Sequence, residues 1–246
     1  MIPQTLLKLL IAVAPVALLG GCAGTLKPAA NADPAPGGGA TASAGGVQFV
    51  TMTPDFPGMV NIESAVTPVK VNITNHGTST VLVRYSDFKL VAADGTVYPA
   101  LPLYKIDTSV TTSLPGGFSP IGAPLFLHRG FRVAPYYGEL YPGIGRFDGP
   151  FPSNYGRYGR YGRYGWDGYD AAFGGGFADI RIPTPTMYRN VLPEGVLDPG
   201  GAVQGWLYFK HVANQKGDIS FKASVASVTG TDLGTLSIPY TFENND

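Results

Sequence analysis

The chain has 246 residues, 17 basic and 17 acidic side chains, and one cysteine. So neutral a balance excludes a global field that would steer nucleic acid or an acidic surface. A lone cysteine excludes an intrachain disulfide and a thiolate-cluster zinc site, while 34 glycines and 22 prolines favour turns over long helices.

Residues 1–21 read MIPQTLLKLLIAVAPVALLGG. Lys8 and the amino terminus give a weakly positive start, residues 9–19 are apolar apart from the break at Pro15, and small Gly20 and Gly21 follow. This is the layout of a secretory signal peptide, and the run is short of the ~20 apolar residues that span a bilayer. Its removal takes Lys8 and no acid, leaving 16 bases against 17 acids.

Leu19-Gly20-Gly21-Cys22 resembles the lipobox of bacterial lipoproteins. The resemblance implies that a lipid joins the Cys22 sulfur, that the chain is cut before it, and that the new amine is acylated. More than one acyl chain, palmitate among them, makes such an anchor stable, since each buried CH₂ contributes ~0.8 kcal/mol. Ala23 stands where an Asp would retain the protein at the inner membrane. In a Gram-negative cell the resemblance therefore implies the outer membrane. The expected partner is the membrane itself, through lipid on Cys22. Residues 22–46, rich in Ala, Gly, Pro, Asn, Thr and Ser, are predicted to be the lipidated cysteine and a flexible linker.

From Val47 the pattern changes, and 47–246 is predicted to be one sandwich domain interrupted at 105–186. Val69, Val71 and Ile73 alternate with Lys70, Asn72 and Thr74, the period of a strand with one buried face. Residues 75–79 form a turn cluster, and Val81, Val83 and Tyr85 alternate again. Ala93-Asp94-Gly95 between apolar runs is a hairpin signal. Further on, Val203, Gly205, Leu207 and Phe209 share one strand face. Gln204, Trp206 and Tyr208 share the other, so one of Trp206 and Phe209 is expected at the surface. Ile219, Phe221, Ala223 and Val225 follow at period two. Residues 233–242 read as a last strand, in which Pro239 argues for an edge or a bulge. About seven short strands with turns between them predict an all-β fold, an antiparallel β-sandwich.

Three stretches resemble an Ig-like domain of small bacterial lipoproteins and secreted immunoprotective antigens. They are Asn75-His76-Gly77, the block from Phe88-Lys89-Leu90 through Asp94-Gly95 to Tyr98, and Leu197-Asp198-Pro199-Gly200 running into Gly205-Trp206-Leu207-Tyr208-Phe209. The likeness covers residues 65–103 and 190–243. It implies an extracytoplasmic, non-enzymatic module and supplies no catalytic residue or cofactor. The long middle segment departs from that family.

Residues 105–186 lose the alternation. A tandem repeat runs Tyr155-Gly156-Arg157-Tyr158-Gly159-Arg160-Tyr161-Gly162-Arg163-Tyr164-Gly165-Trp166. Eight of the nine arginines and nine of the fourteen tyrosines lie between Arg129 and Arg189, with five acids and no lysine. Guanidinium forks alternating with amphipathic rings can stack on sugars, make cation–π contacts and clamp phosphate or carboxylate. Arg157, Tyr158, Arg160, Tyr161, Arg163, Tyr164 and Trp166 are the candidate ligand-binding residues, for an envelope glycan, a polyanion or another envelope protein. The competing reading is a low-complexity surface loop with no ligand. Such repeats also occur in nucleic-acid-binding tails, a partner the export signal argues against.

Catalytic signals are weak. His76, His128 and His211 have no partner at metal-ligand spacing, so no metal is expected. No Gly-x-Ser-x-Gly elbow, phosphate loop, dinucleotide fingerprint or calcium loop occurs, and Asp198-Pro199-Gly200 reads as a turn rather than a catalytic acid. An envelope hydrolase is the reading with least behind it. The chain reads as a lipid-anchored envelope protein that binds or scaffolds without being an enzyme.

Overall fold

The computed structural model describes residues 25–57, 60–113, 127–137, 141, 144–149, 151, 177–212 and 217–243. The described residues are almost all strand and turn, in antiparallel sheets. One sheet has five strands. In spatial order they are β1 (Thr25–Pro28), β14 (Asp232–Glu243), β13 (Gly217–Ala226), β7 (Phe88–Ala92) and β8 (Val97–Pro99). The other follows the order β10 (Leu127–Val133), β12 (Gly195–Lys210), β5 (Val66–Asn75), β4 (Val47–Met52), β3 (Gly39–Ala44) and β2 (Asp33–Ala35). A short β6 (Val81–Val83) also pairs with β12. A separate pair joins β9 (Thr108–Ser113) to β11 (Phe177–Ile182).

Period-two patterning decides what fills the space between the two large sheets. Val69, Val71 and Ile73 of β5 are at most 1% exposed, while Lys70, Asn72 and Thr74 are only partly covered. Phe49 meets Phe88 edge-on at 6.2 Å, Phe88 stacks on Phe221 at 6.2 Å, and Phe221 meets Phe209 edge-on at 6.1 Å. These rings tie β4 and β12 of one sheet to β7 and β13 of the other. The Thr51 hydroxyl bonds the Tyr240 hydroxyl across the same core at 2.5 Å. At one margin the Leu101 N–H donates to the Tyr208 carbonyl at 2.6 Å, so the chain leaving β8 closes the gap between the sheets.

Several sequence expectations need correction. The stretch predicted as a flexible linker is built into the fold from Thr25 onward. Thr25 pairs with Glu243 and Leu26 with Phe242, and β3 pairs with β4 across Gly45 and Gly46, both at positive φ. Ala40 is wholly buried. The interruption predicted at 105–186 is also overdrawn. Residues 127–133 are a strand of the seven-stranded sheet, and 185–190 form a short helix, α1 (Pro185–Asn190), opened by the Thr184 cap. Finally, neither Trp206 nor Phe209 reaches the surface: they are 5% and 0% exposed. Phe209 faces the sandwich core. Trp206 lies on the opposite face, which a second layer covers.

β12 itself folds at 198–201. Between Arg129 and Phe131 the β10 register shifts, so residues 198–201 of β12 oppose Gly130 alone. Gly130 and Gly200 both have positive φ, which glycine adopts at no steric cost. Leu192 donates its N–H to the Trp206 carbonyl at 2.8 Å, yet it lies only three residues before Gly195. A straight strand from Gly195 to Trp206 would run about 36 Å, and three residues reach about 11 Å. The two halves of β12 therefore turn toward each other at 198–201.

Pro239 does not sit on an edge strand, since β14 lies between β1 and β13. It stands where the β1 pairing runs out, and its carbonyl accepts the Ala29 N–H at 3.0 Å. A residue without an N–H fits where a neighbouring strand ends.

Candidate functional site

The second layer holds the most unusual chemistry among the described residues, a buried carboxyl surrounded by tyrosines. Glu194 lies just before β12 and is 5% exposed. One carboxylate oxygen accepts the Tyr85 main-chain N–H at 2.7 Å, and the other accepts the Tyr136 hydroxyl. Two 3₁₀ turns place these donors, Tyr85–Asp87 after β6 and Pro135–Tyr137 after β10.

The tyrosines extend the network into the layer. The Tyr85 hydroxyl bonds the Tyr137 hydroxyl at 2.6 Å and donates to the Leu192 carbonyl at 2.8 Å. Tyr141 donates to the Val191 carbonyl at 3.0 Å, and Tyr208 to the Met187 carbonyl at 3.2 Å. These carbonyls belong to the chain of residues 187–192, which comes alongside β12 where Val191 bridges Trp206 in parallel and Leu192 bonds its carbonyl. Phe56 completes the layer from the other side, edge-on to Trp206 at 5.1 Å and to Tyr208 at 5.8 Å.

Burial raises the Glu194 carboxyl to about 7; the Tyr85 N–H lowers it, Asp87 raises it and Arg84 lowers it. Arg84 is itself engaged by Asp87 at 3.0 Å. Burial, then Tyr137 and then Glu194, pushes the Tyr85 phenol well above its ordinary value, and burial does the same to Tyr208. A carboxyl titrating near neutrality can move a proton. Here each of its oxygens is engaged, by Tyr85 and by Tyr136, and the Tyr85, Tyr141 and Tyr208 phenols are engaged by main-chain carbonyls. The arrangement clamps the second layer to β12.

A second feature is a cleft lined by Thr25, Leu26, Thr53, Asp55, Glu63 and His211 among others. The Thr53 hydroxyl donates to the Leu26 carbonyl, and a Glu63 carboxylate oxygen accepts the Phe56 N–H at 3.1 Å. Nδ1 of His211 is buried there without a hydrogen-bond partner. Burial lowers the His211 pKa, against a hydrogen bond to the Glu63 main chain that raises it. No group of three His, Cys, Asp or Glu among the described residues could hold a metal ion.

The other sequence candidates scatter. Cys22 and the residues from Arg157 to Trp166 lie outside the described residues. His76 sits exposed in the turn after β5, 3.4 Å from Gln48. His128 is exposed on β10. Asp198 lies in the β12 bulge, where it accepts Arg132 at 2.7 Å and the Thr80 hydroxyl at 3.2 Å. Sequence reasoning passed over Glu194, although a lone acid within Val191-Leu192-Pro193-Glu194-Gly195-Val196-Leu197 was a signal. An acid amid apolar neighbours is buried only when it is hydrogen-bonded.

The chain matches no protein-family model, no curated protein and no solved structure.

Proposed function

We propose that this is a lipid-anchored protein of the bacterial envelope whose Ig-like sandwich binds or scaffolds rather than catalyses. One observation carries the reading: Leu19-Gly20-Gly21-Cys22 closes an apolar, weakly basic leader and contains the one cysteine of the chain. A free thiol in an exported protein is a liability unless chemistry consumes it, and lipidation does so. Among the described residues no helix is long and apolar enough to cross a membrane. The arrangement around Glu194 holds structure rather than substrate, which also favours a binding module.

Fatty-acid labelling tests the anchor. Radiolabelled palmitate is expected on the wild-type chain and absent from Cys22→Ala; label retained in the variant rejects the anchor. The binding half of the proposal falls on the Arg/Tyr repeat, whose arginines and tyrosines are segregated from the rest of the chain. Deleting 155–166 is expected to weaken retention on peptidoglycan or lipopolysaccharide. Retention equal to wild type removes the repeat from the account, and salt sensitivity separates a polyanion from a neutral glycan.

A further inference from the structure

Resting on the Cys22 anchor just proposed, we infer that the sandwich does not stand off from the membrane on a tether. The pole carrying Thr25 and Glu243 is held against the lipid headgroups. Covalent reach imposes this. β1 starts at Thr25, three residues after Cys22. Three peptide units reach about 11 Å at full extension. The first residue of the sandwich therefore lies within that distance of the lipidated cysteine, whatever path the chain takes.

Strand register says what else comes to that pole. Thr25 pairs with Glu243 at the end of β14, and Phe242 pairs with Gly217 at the start of β13. Lys210, the end of β12, pairs with Val66, the start of β5. The His211 cleft opens here, with Thr25 and Leu26 in its wall. The hairpin after β7 also reaches this end, since the Ala93 N–H donates to the Asp218 carbonyl at 3.0 Å. Beside it stands Val97, the one large apolar side chain among the described residues that is exposed, at 51%. The opposite pole gathers the Gly45–Gly46 turn and His76, whose N–H donates to the Gly46 carbonyl at 2.8 Å. β5, with ten residues, runs from one pole to the other, about 30 Å.

Charge does not drive this contact. Asp55, Glu63 and Glu243 outnumber Lys27 and Lys210 at the near pole, and Lys27 is already paired with Glu243 at 2.6 Å. The leash imposes the proximity, so raised salt is expected to leave it intact.

The lone native cysteine makes the test clean, because an introduced cysteine is the only free thiol of a chain lipidated on Cys22. Asp55→Cys at the near pole and Thr78→Cys at the far pole, both exposed positions, are labelled with a donor fluorophore. The lipidated full chain is then reconstituted in phosphatidylethanolamine/phosphatidylglycerol vesicles carrying a headgroup-linked acceptor. Energy transfer is expected to be several-fold stronger from position 55 than from 78. Inserting twenty Gly/Ser residues directly before Thr25, a tether of about 25 Å root-mean-square length, is expected to erase most of that difference. Equal transfer from both positions in the uninserted chain overturns the orientation, as does a difference the insertion leaves unchanged. Vesicle flotation keeps the two proposals apart: a chain that fails to float overturns the anchor and the orientation with it. A floating chain with equal transfer overturns the orientation alone.

Discussion

Glu194 is half ionised near neutrality, and that ties the stability of the second layer to pH. Its carboxyl moves from an ordinary 4.5 to about 7 on folding, through burial first. Between those values the unfolded chain has released the proton and the folded chain still holds it. The stabilising contribution is therefore complete below pH 4.5, declines as pH rises, and is gone above 7. At 1.36 kcal/mol per unit the group contributes about 3 kcal/mol over that window. Urea midpoints at pH 5 and pH 7.5 check this. Glu194→Gln is expected to be less pH-dependent than wild type by about 2 kcal/mol between those two pH values, with most of its gain at pH 7.5. Parallel wild-type and variant curves would count against a buried, titrating carboxyl. The residue escaped sequence reasoning because its burial depends on Tyr85 and Tyr136, which lie 109 and 58 positions away.

At the scale of elements, β12 organises the molecule. It pairs with β5, β6 and β10, packs Leu207 and Phe209 into the sandwich core, and carries Trp206 and Tyr208 on its outer face. Gly205, opposite Val71 on the core side of the sheet, is where the chain through 191–192 comes closest to β12. A Cβ there would stand 2.6 Å from Leu192 Cα and 2.7 Å from Leu192 N, both main-chain atoms. Gly205→Ala must push β12 and the 191–192 chain apart, breaking the Leu192–Trp206 bond. It is expected to cost about 1–3 kcal/mol, as overpacking does. At this chain length that corresponds to a drop in Tm of about 2–4 °C per kcal/mol. A melting temperature equal to wild type would mean the 191–192 chain does not bear on β12.

How far elements were legible follows from side-chain size. β5 and β13 announce themselves because Val, Ile and Phe alternate with Lys, Asn and Ser. The Asp94-Gly95 hairpin does so too: Asp94 accepts the Thr96 N–H at 2.8 Å and Gly95 has φ 86°. β3 reads Gly-Ala-Thr-Ala-Ser-Ala, in which no apolar period shows. Its burial comes from lying beside β4, and β-propensity is largely a matter of such neighbours. β1 is four residues long and held by β14, more than two hundred positions away. A sequence window has no means of seeing that partner, so small polar residues resembled a linker.

For the whole molecule, the structured amino-terminal strands change what the proposed anchor would do. A sandwich on a long tether would sample a wide volume above the membrane. One whose first strand begins three residues after Cys22 would, under the proposed anchoring, carry its near pole to the headgroups and turn the Gly45–Gly46 and His76 end outward. Without an intrachain disulfide, the domain relies on the packed core and on the clamp around Glu194 for its shape. All of this rests on the fate of Cys22. The mass of the amino-terminal peptide of the mature, membrane-extracted protein tests it most directly. The account predicts a peptide that begins at Cys22 and is heavier than its sequence by the sulfur-linked lipid and the acyl chain on its amine. A peptide that retains Gly21, or that carries Cys22 without lipid, would contradict it.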